Sequence, residues 1–222
     1  MSPAWSARFA TVVFDVDSTL SSIEGIDWLA ERHSADVAAQ CVALTSQAMA
    51  GEIPIEQVYV RRLELVAPTR ADLDALAAKY LTTVAPRAAQ LIKGLQAVGV
   101  TVLLVSGGLH LAIEPLARML EIPDACLHAV RVLANAHGKF VMLDGEQPLA
   151  TQQGKPRVLS QLNLARPSVM IGDGATDAAA RGVVDQFIAY TGIARREAVV
   201  AVADAIAEDF VALVPLLLEI SE

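Results

Sequence analysis

The chain has 222 residues, 54% of them apolar and 19% charged, enough to bury one sizeable domain or a core with a smaller insert, which excludes global disorder. Its net charge is −8 with only 17 Lys and Arg, too few and too scattered to follow a phosphate backbone, so no nucleic acid partner is expected. No apolar run reaches the roughly 18 residues that span a bilayer, and the N-terminal MSPAWSARFA lacks a basic flank before a long apolar stretch, so the expectation is a cytoplasmic protein with no membrane partner.

In chain order, Thr11–Phe14 (TVVF) is a β-branched and aromatic run that ends on acids, the pattern of a strand buried on both faces. The stretch from Ser21 to Leu81 holds no convincing strand and predicts helices at Gly25–Glu31, Asp36–Ala50, Glu56–Leu65 and Arg70–Lys79. A helix is expected at Ala85–Val98, then a strand at Val100–Val105 ending in Ser106-Gly107-Gly108. The next helix, Ala112–Leu120, contains Pro115 and is therefore expected to start late or kink. Arg131–Met142 reads as a hairpin around His137-Gly138, Gln147–Gly154 as a loop and Pro156–Leu164 as a helix. Ser168–Ile171, ending in Gly172-Asp173-Gly174, and Phe187–Tyr190 complete the strands.

Continuous apolar strands alternating with helices predict an α/β fold: a Rossmann-like parallel sheet with helices on both faces. The helical block after the first strand predicts a cap over the strand ends. The expected division is a core of residues 1–20 and 82–222 and a cap of residues 21–81. Cys41 and Cys126 lack CxxC or CxxH neighbours and read as free thiols, and the four histidines share no helical spacing that would hold structural zinc.

In open parallel sheets ligands bind outside the carboxyl ends of the strands. Three strands deliver Asp15, Asp17 and Thr19, then Ser106, then Asp173 and Asp177 to that edge, and Lys155 opens a helix between the last two. Carboxylate oxygens suit a hard cation, while Ser, Lys and backbone N–H groups suit phosphoryl oxygens, so the inventory matches a Mg²⁺ and phosphate site. Other phosphate and cation loops fail. Gly154-Lys155-Pro156 breaks the P-loop, Asp177 stands where a dinucleotide loop needs its third glycine, and Leu20 stands where a calcium loop beginning at Asp15 needs its turn glycine.

The order DxDST (Asp15–Thr19), SGG (Ser106–Gly108), Lys155 and GDGATD (Gly172–Asp177) resembles the haloacid-dehalogenase-like superfamily. Glu24-Gly25-Ile26-Asp27, Ala48-Met49-Ala50-Gly51 and Arg61-Arg62-Leu63-Glu64-Leu65 resemble its phosphoserine phosphatase family. That resemblance implies Asp15 as the nucleophile that forms an aspartyl-phosphate and Asp17 as general acid, then base. It implies Asp15, Asp173 and the Asp17 backbone carbonyl as ligands of Mg²⁺. Ser106, the Gly107 N–H and Lys155 would hold the phosphoryl oxygens, with Asp177 orienting Lys155 or a metal-bound water. Glu24 and Arg62 would bind the substrate's ammonium and carboxylate, beside Met49 and Thr176.

The implied reaction is hydrolysis of a small phosphomonoester, O-phospho-L-serine, the last step of serine biosynthesis, by a monomer or homodimer. Two alternatives stand beside it: the same chemistry on another small metabolite or with an acceptor such as homoserine, and a non-enzymatic phospho-acceptor module. The chain departs from the family at Ile55, often aromatic, at His128–Arg131, which lacks an asparagine, and in the Tyr190–Ile193 turn.

Overall fold

The computed structural model describes residues 5–50, 52–136 and 139–220. Strands β1 (Trp5–Ala7) and β2 (Thr11–Phe14) come first, followed by helices α1 (Gly25–His33), α2 (Ala35–Met49), α3 (Ile55–Val66) and α4 (Arg70–Thr82). Next are α5 (Ala88–Ala97), β3 (Thr101–Leu109), α6 (His110–Met119), β4 (Leu127–Val130) and a hairpin of β5 (Val132–Ala134) and β6 (Phe140–Leu143). The remainder is α7 (Gly154–Gln161), β7 (Ser168–Gly172), α8 (Ala175–Ala178), β8 (Gln186–Tyr190), α9 (Glu197–Val200), β9 (Ala205–Ala207), α10 (Phe210–Leu217) and β10 (Leu218–Ile220), the last paired with β1. His137 and Gly138, at the expected hairpin turn, lie outside the described residues.

Six strands form a wholly parallel sheet in the order β4-β3-β2-β7-β8-β9. Successive residues of a strand face opposite sides, so a continuous apolar run feeds two cores. Val12, Phe14, Leu104 and Ile171 join one cluster with Leu91 and Leu95 of α5, Ile113 of α6 and Phe210 of α10. Val13, Leu103, Val105 and Met170 join the other with Leu159 of α7, Val184 and Val199. Leu29, Leu63, Leu76 and Tyr80 of α1, α3 and α4 belong to the first cluster, so the four-helix block shares its core with that face of the sheet.

The register sets the position of the site. Phe14 is level with Leu104 on one side and Ile171 on the other, so β2, β3 and β7 end together at one edge. From β2 the strand order runs outward both ways, to β3 and β4 and to β7, β8 and β9, which makes the ends of β2 and β7 the switch point of the sheet.

Some expectations are corrected. Helix α6 starts at His110, directly on the end of β3, rather than late. Pro115 deprives Leu111 of a carbonyl partner, and Leu111 lies on the exposed side where water can replace it. Strand β3 extends through Ser106-Gly107-Gly108 to Leu109 instead of ending before them, with a shift of register against β4 between Val105 and Leu109. Helix α7 begins at Gly154, so Lys155 sits in its first turn. The short β1, β4, β9 and β10 were not expected. Unlike TVVF, these three- and four-residue strands carry no continuous β-branched or aromatic run to mark them.

Candidate active site

One residue past β2 the chain is still tied to its neighbour, since the Asp15 N–H donates to the Ile171 carbonyl at 2.9 Å. It then curls back: the Thr19 and Ser21 N–H groups both donate to the Val16 carbonyl, and Ser18 takes a left-handed φ of 52°. This curl brings Asp15 and Asp17 to the sheet edge and leaves two hydroxyls free to brace other acids. Thr19 donates to Asp173 Oδ1 at 3.2 Å, and Ser18 donates to Glu24 Oε1 at 2.7 Å. The Ser18 and Thr19 of the motif therefore brace acids that follow later in the chain.

Asp15, Asp173 and Asp177 are buried with carboxylate oxygens within 4.8 Å of one another. Lys155, 4% exposed, places its ammonium 2.7 Å from Asp15 Oδ1 and on Asp177 Oδ1. Burial alone would depress the ammonium. The Asp15 and Asp177 carboxylates more than reverse that and hold it above the usual lysine range, a fixed cation. Burial and the Asp15 charge push the Asp177 carboxyl up, while Lys155 and the Gly174 N–H pull it back. With one oxygen on Lys155 and the other on Gly174, Asp177 holds the lysine in place.

Three carboxylates against one ammonium leave excess negative charge, and Asp173 Oδ2 accepts no hydrogen bond although buried. The guanidinium of Arg196 presses against that oxygen without hydrogen-bond alignment, a cationic group where the carboxylates call for positive charge. Buried hard oxygens of this kind fit a magnesium-type ion.

Asp17 stands apart from this cluster. Tyr80 of α4 donates to Asp17 Oδ1 at 2.5 Å, and the Asp17 carboxyl is pushed up to about 8. The main cause is burial, then the negative charges of Glu24 and Asp15, opposed by hydrogen bonds from Tyr80 and the Gly25 N–H. Two carboxylates two residues apart thus face different environments, one beside an ammonium and one sunk among apolar and acidic neighbours. That is how one segment can present a nucleophile and a proton donor at neutral pH.

A cavity of about 340 Å³ opens between the strand ends and the helical block. Asp15, Asp17, Glu24, Arg62, Ser106, Gly107, Lys155, Asp173 and Thr176 all line it, so the structure brings together every expected side chain except two. Asp177 lies behind Lys155, and the side chain of Met49 lies outside the described residues. Arg62 is bound by Asp27, and its Nε has no partner. Ser106 Oγ accepts the Gly108 N–H at 3.0 Å. Sequence reasoning missed Tyr59, whose hydroxyl donates to the Gly107 carbonyl at 2.6 Å, and also Tyr80, Gln152 and Arg196. Asp27 had a signal, its place in the quoted EGID segment; the others are scattered residues that only the fold assembles.

A model of the haloacid dehalogenase-like hydrolases matches residues 12–180. Phosphoserine phosphatase of Bos taurus is 36% identical over 211 residues, 94% of this chain and 93% of its own. The chloroplastic phosphoserine phosphatase of Arabidopsis thaliana is 38% identical over 198 residues, 87% of this chain and 66% of its own, so the chain spans just under two thirds of that relative. A solved phospho-aspartyl intermediate analogue of phosphoserine phosphatase superposes with a TM-score of 0.72 at 25% identity, covering 93% of this chain and 98% of that one.

Proposed function

The chain belongs to the haloacid dehalogenase-like hydrolase family, and on that premise we propose that it hydrolyses O-phospho-L-serine to L-serine and phosphate through an aspartyl-phosphate on Asp15. The observation that carries this reading is the pair of unlike carboxylates, Asp15 on Lys155 and Asp17 on Tyr80, lining one cavity whose rim bears Glu24 and Arg62.

In the first step Asp15 attacks phosphorus while Asp17 gives its proton to the departing serine oxygen. In the second, Asp17, now ionised, takes a proton from the water that attacks the acyl phosphate. Lys155, Ser106 and the Gly107 N–H hold the phosphoryl oxygens, fixed donors that need no reorganisation as charge redistributes. Asp177 keeps Lys155 aimed. Mg²⁺ is the ion we assign to Asp15, Asp173 and the Asp17 backbone carbonyl; bound there, it supplies charge neutralisation that lets an anionic carboxylate meet an anionic phosphoryl group.

Glu24 is suited to the substrate's ammonium and Arg62 to its carboxylate, which would take the place of Asp27 on the guanidinium fork. Thr176 lines the same space, and Met49 completes the set carried over from the family. Residues 21–81 act as a cap on the core of 1–20 and 82–222. Tyr59 on Gly107 and Tyr80 on Asp17 are the contacts through which the cap excludes bulk water.

The test is phosphate release from a panel of L- and D-phosphoserine, phosphothreonine, phosphohomoserine, sugar phosphates and an aryl phosphate, with Mg²⁺ and after chelation. The expected result is metal-dependent turnover with a preference for L-phosphoserine of about 100-fold or more, the margin set when polar groups built for a ligand are left unpaired. Metal-dependent turnover that is best on another ester would overturn the assignments of Glu24 and Arg62. No turnover on any ester would favour the phospho-acceptor module.

A further inference from the structure

We propose that Tyr80 is a positioning residue for the proton donor: its hydroxyl, given to Asp17 Oδ1, fixes the carboxyl so that Oδ2 carries the proton toward the leaving oxygen. The inference rests on Asp17 being the general acid, and it goes beyond that assignment by naming what aims it.

Tyr80 is fully buried in α4, and its hydroxyl reaches the acid at 2.5 Å while Asp17, not Tyr80, lines the cavity. Tyr80 therefore acts through Asp17 and does not meet the substrate. Packing gives no reason for the hydroxyl, because a phenylalanine would fill the same apolar surroundings, and a buried hydroxyl is costly unless it is bonded. The backbone has been trimmed to admit it. A Cβ on Gly25 would lie 2.2 Å from Tyr80 Oη, and one on Gly108 would lie 3.2 Å away. Gly25, at the start of α1, yields the space at that oxygen; at Gly108 the nearest atom is Ile113 Cδ1, 2.8 Å away.

The bond also sorts the two oxygens of Asp17. A phenol keeps its proton at neutral pH, so Tyr80 is the donor in this bond. Oδ1 accepts from it, and the carboxyl proton resides on Oδ2. As the bond from Asp15 to phosphorus forms and the ester P–O bond breaks, that proton passes to the serine oxygen. Asp17 is left anionic with the Tyr80 hydrogen bond still in place, ready to take a proton from the hydrolytic water. Tyr80 itself exchanges no proton.

Leaving groups separate this role from a structural one. An alkoxide needs the proton of Asp17, whereas the phenolate of 4-nitrophenyl phosphate departs without it. Both esters should be followed as kcat/KM, which covers only the steps up to release of the alcohol, in wild type, Tyr80→Phe and Asp17→Asn, with Mg²⁺ present. Asp17→Asn is expected to lose about 10²-fold or more on phosphoserine, the usual yield of general acid catalysis, and much less on the aryl ester. Tyr80→Phe should show the same asymmetry at smaller amplitude, about tenfold on phosphoserine, with inorganic phosphate inhibiting as it does in wild type. Gly25→Ala, whose new methyl would displace the hydroxyl, gives a second route to the same signature should Tyr80→Phe fold poorly. Equal losses on both esters in Tyr80→Phe and Gly25→Ala, beside an asymmetric Asp17→Asn, would overturn the positioning role alone. A symmetric Asp17→Asn would overturn the acid assignment and the positioning role with it.

Discussion

Asp15 and Asp17 show how little sequence distance is needed to separate two chemistries. Asp15 faces an ammonium, whereas Asp17 faces a phenol, a backbone N–H and two negative charges. Asp15→Asn, which replaces one oxygen of the proposed nucleophile at nearly constant volume, should abolish turnover while leaving native circular dichroism and a cooperative melting transition. Retained turnover without deamidation back to aspartate would contradict the assignment. Arg62→Ala should raise KM for phosphoserine about tenfold or more, since a bidentate partner for a carboxylate is lost, with a smaller effect on the aryl ester; equal rises would point to a structural role.

Asp17 also fixes the sign of a pH effect on stability. In the metal-free protein it holds its proton to about 8, against 3.8 in the unfolded chain, so the folded state binds more protons between those values. Its contribution is fully present below about pH 4 and is lost as pH rises toward 8, and Asp177, also raised, acts in the same direction. The melting temperature of metal-free protein should therefore fall over that interval, and fall less steeply in Asp17→Asn. An identical slope in the variant would sink the argument.

At the scale of elements, α4 matters because it carries Tyr80 from the helical block to Asp17. Its N-terminus is a capping box: Thr69 Oγ1 accepts the Asp72 N–H at 3.2 Å, and Asp72 Oδ2 accepts the Thr69 N–H at 2.9 Å. Thr69→Ala should lower stability by about 1 kcal/mol, the usual value of such a cap, read as a shift in the denaturant midpoint without change of slope. No shift would mean that the packing of Leu73, Leu76 and Tyr80 alone holds the helix. The elements were legible in the sequence where they were long or strongly apolar. The four helices of the insert and the strands TVVF, VTVLLV, SVMI and FIAY were readable from period and flanking residues. The starts of α6 and α7 were not, because a proline in the sixth position and a loop-like flank argued locally for later starts. Tertiary support for the first turns prevailed.

For the whole molecule, the carboxylate cluster predicts a link between metal and stability. Three buried carboxylates around the Lys155 ammonium and the Arg196 guanidinium still hold excess negative charge, so an ion bound only by the folded state stabilises it by mass action. Chelation should abolish turnover and lower the melting temperature, and Mg²⁺ should restore both in proportion to its free concentration. Restoration of activity without any thermal shift would place the ion outside the buried cluster. Among the described residues no helix is long and apolar enough to cross a membrane.

The α/β class, the sheet edge as the place of chemistry and the acids, serine and lysine assembled there followed from the sequence. A buried parallel strand is a continuous apolar run, and its first polar residue must emerge at the edge. Tertiary structure alone decided that Asp17 turns away from the carboxylate cluster to Tyr80 and that Tyr59 and Arg196 reach the cavity. The Tyr80–Asp17 and Tyr59–Gly107 contacts join residues 63 and 48 positions apart, set by how the helical block packs on the sheet, and side-chain periodicity carries no record of which distant residue a carboxylate will meet.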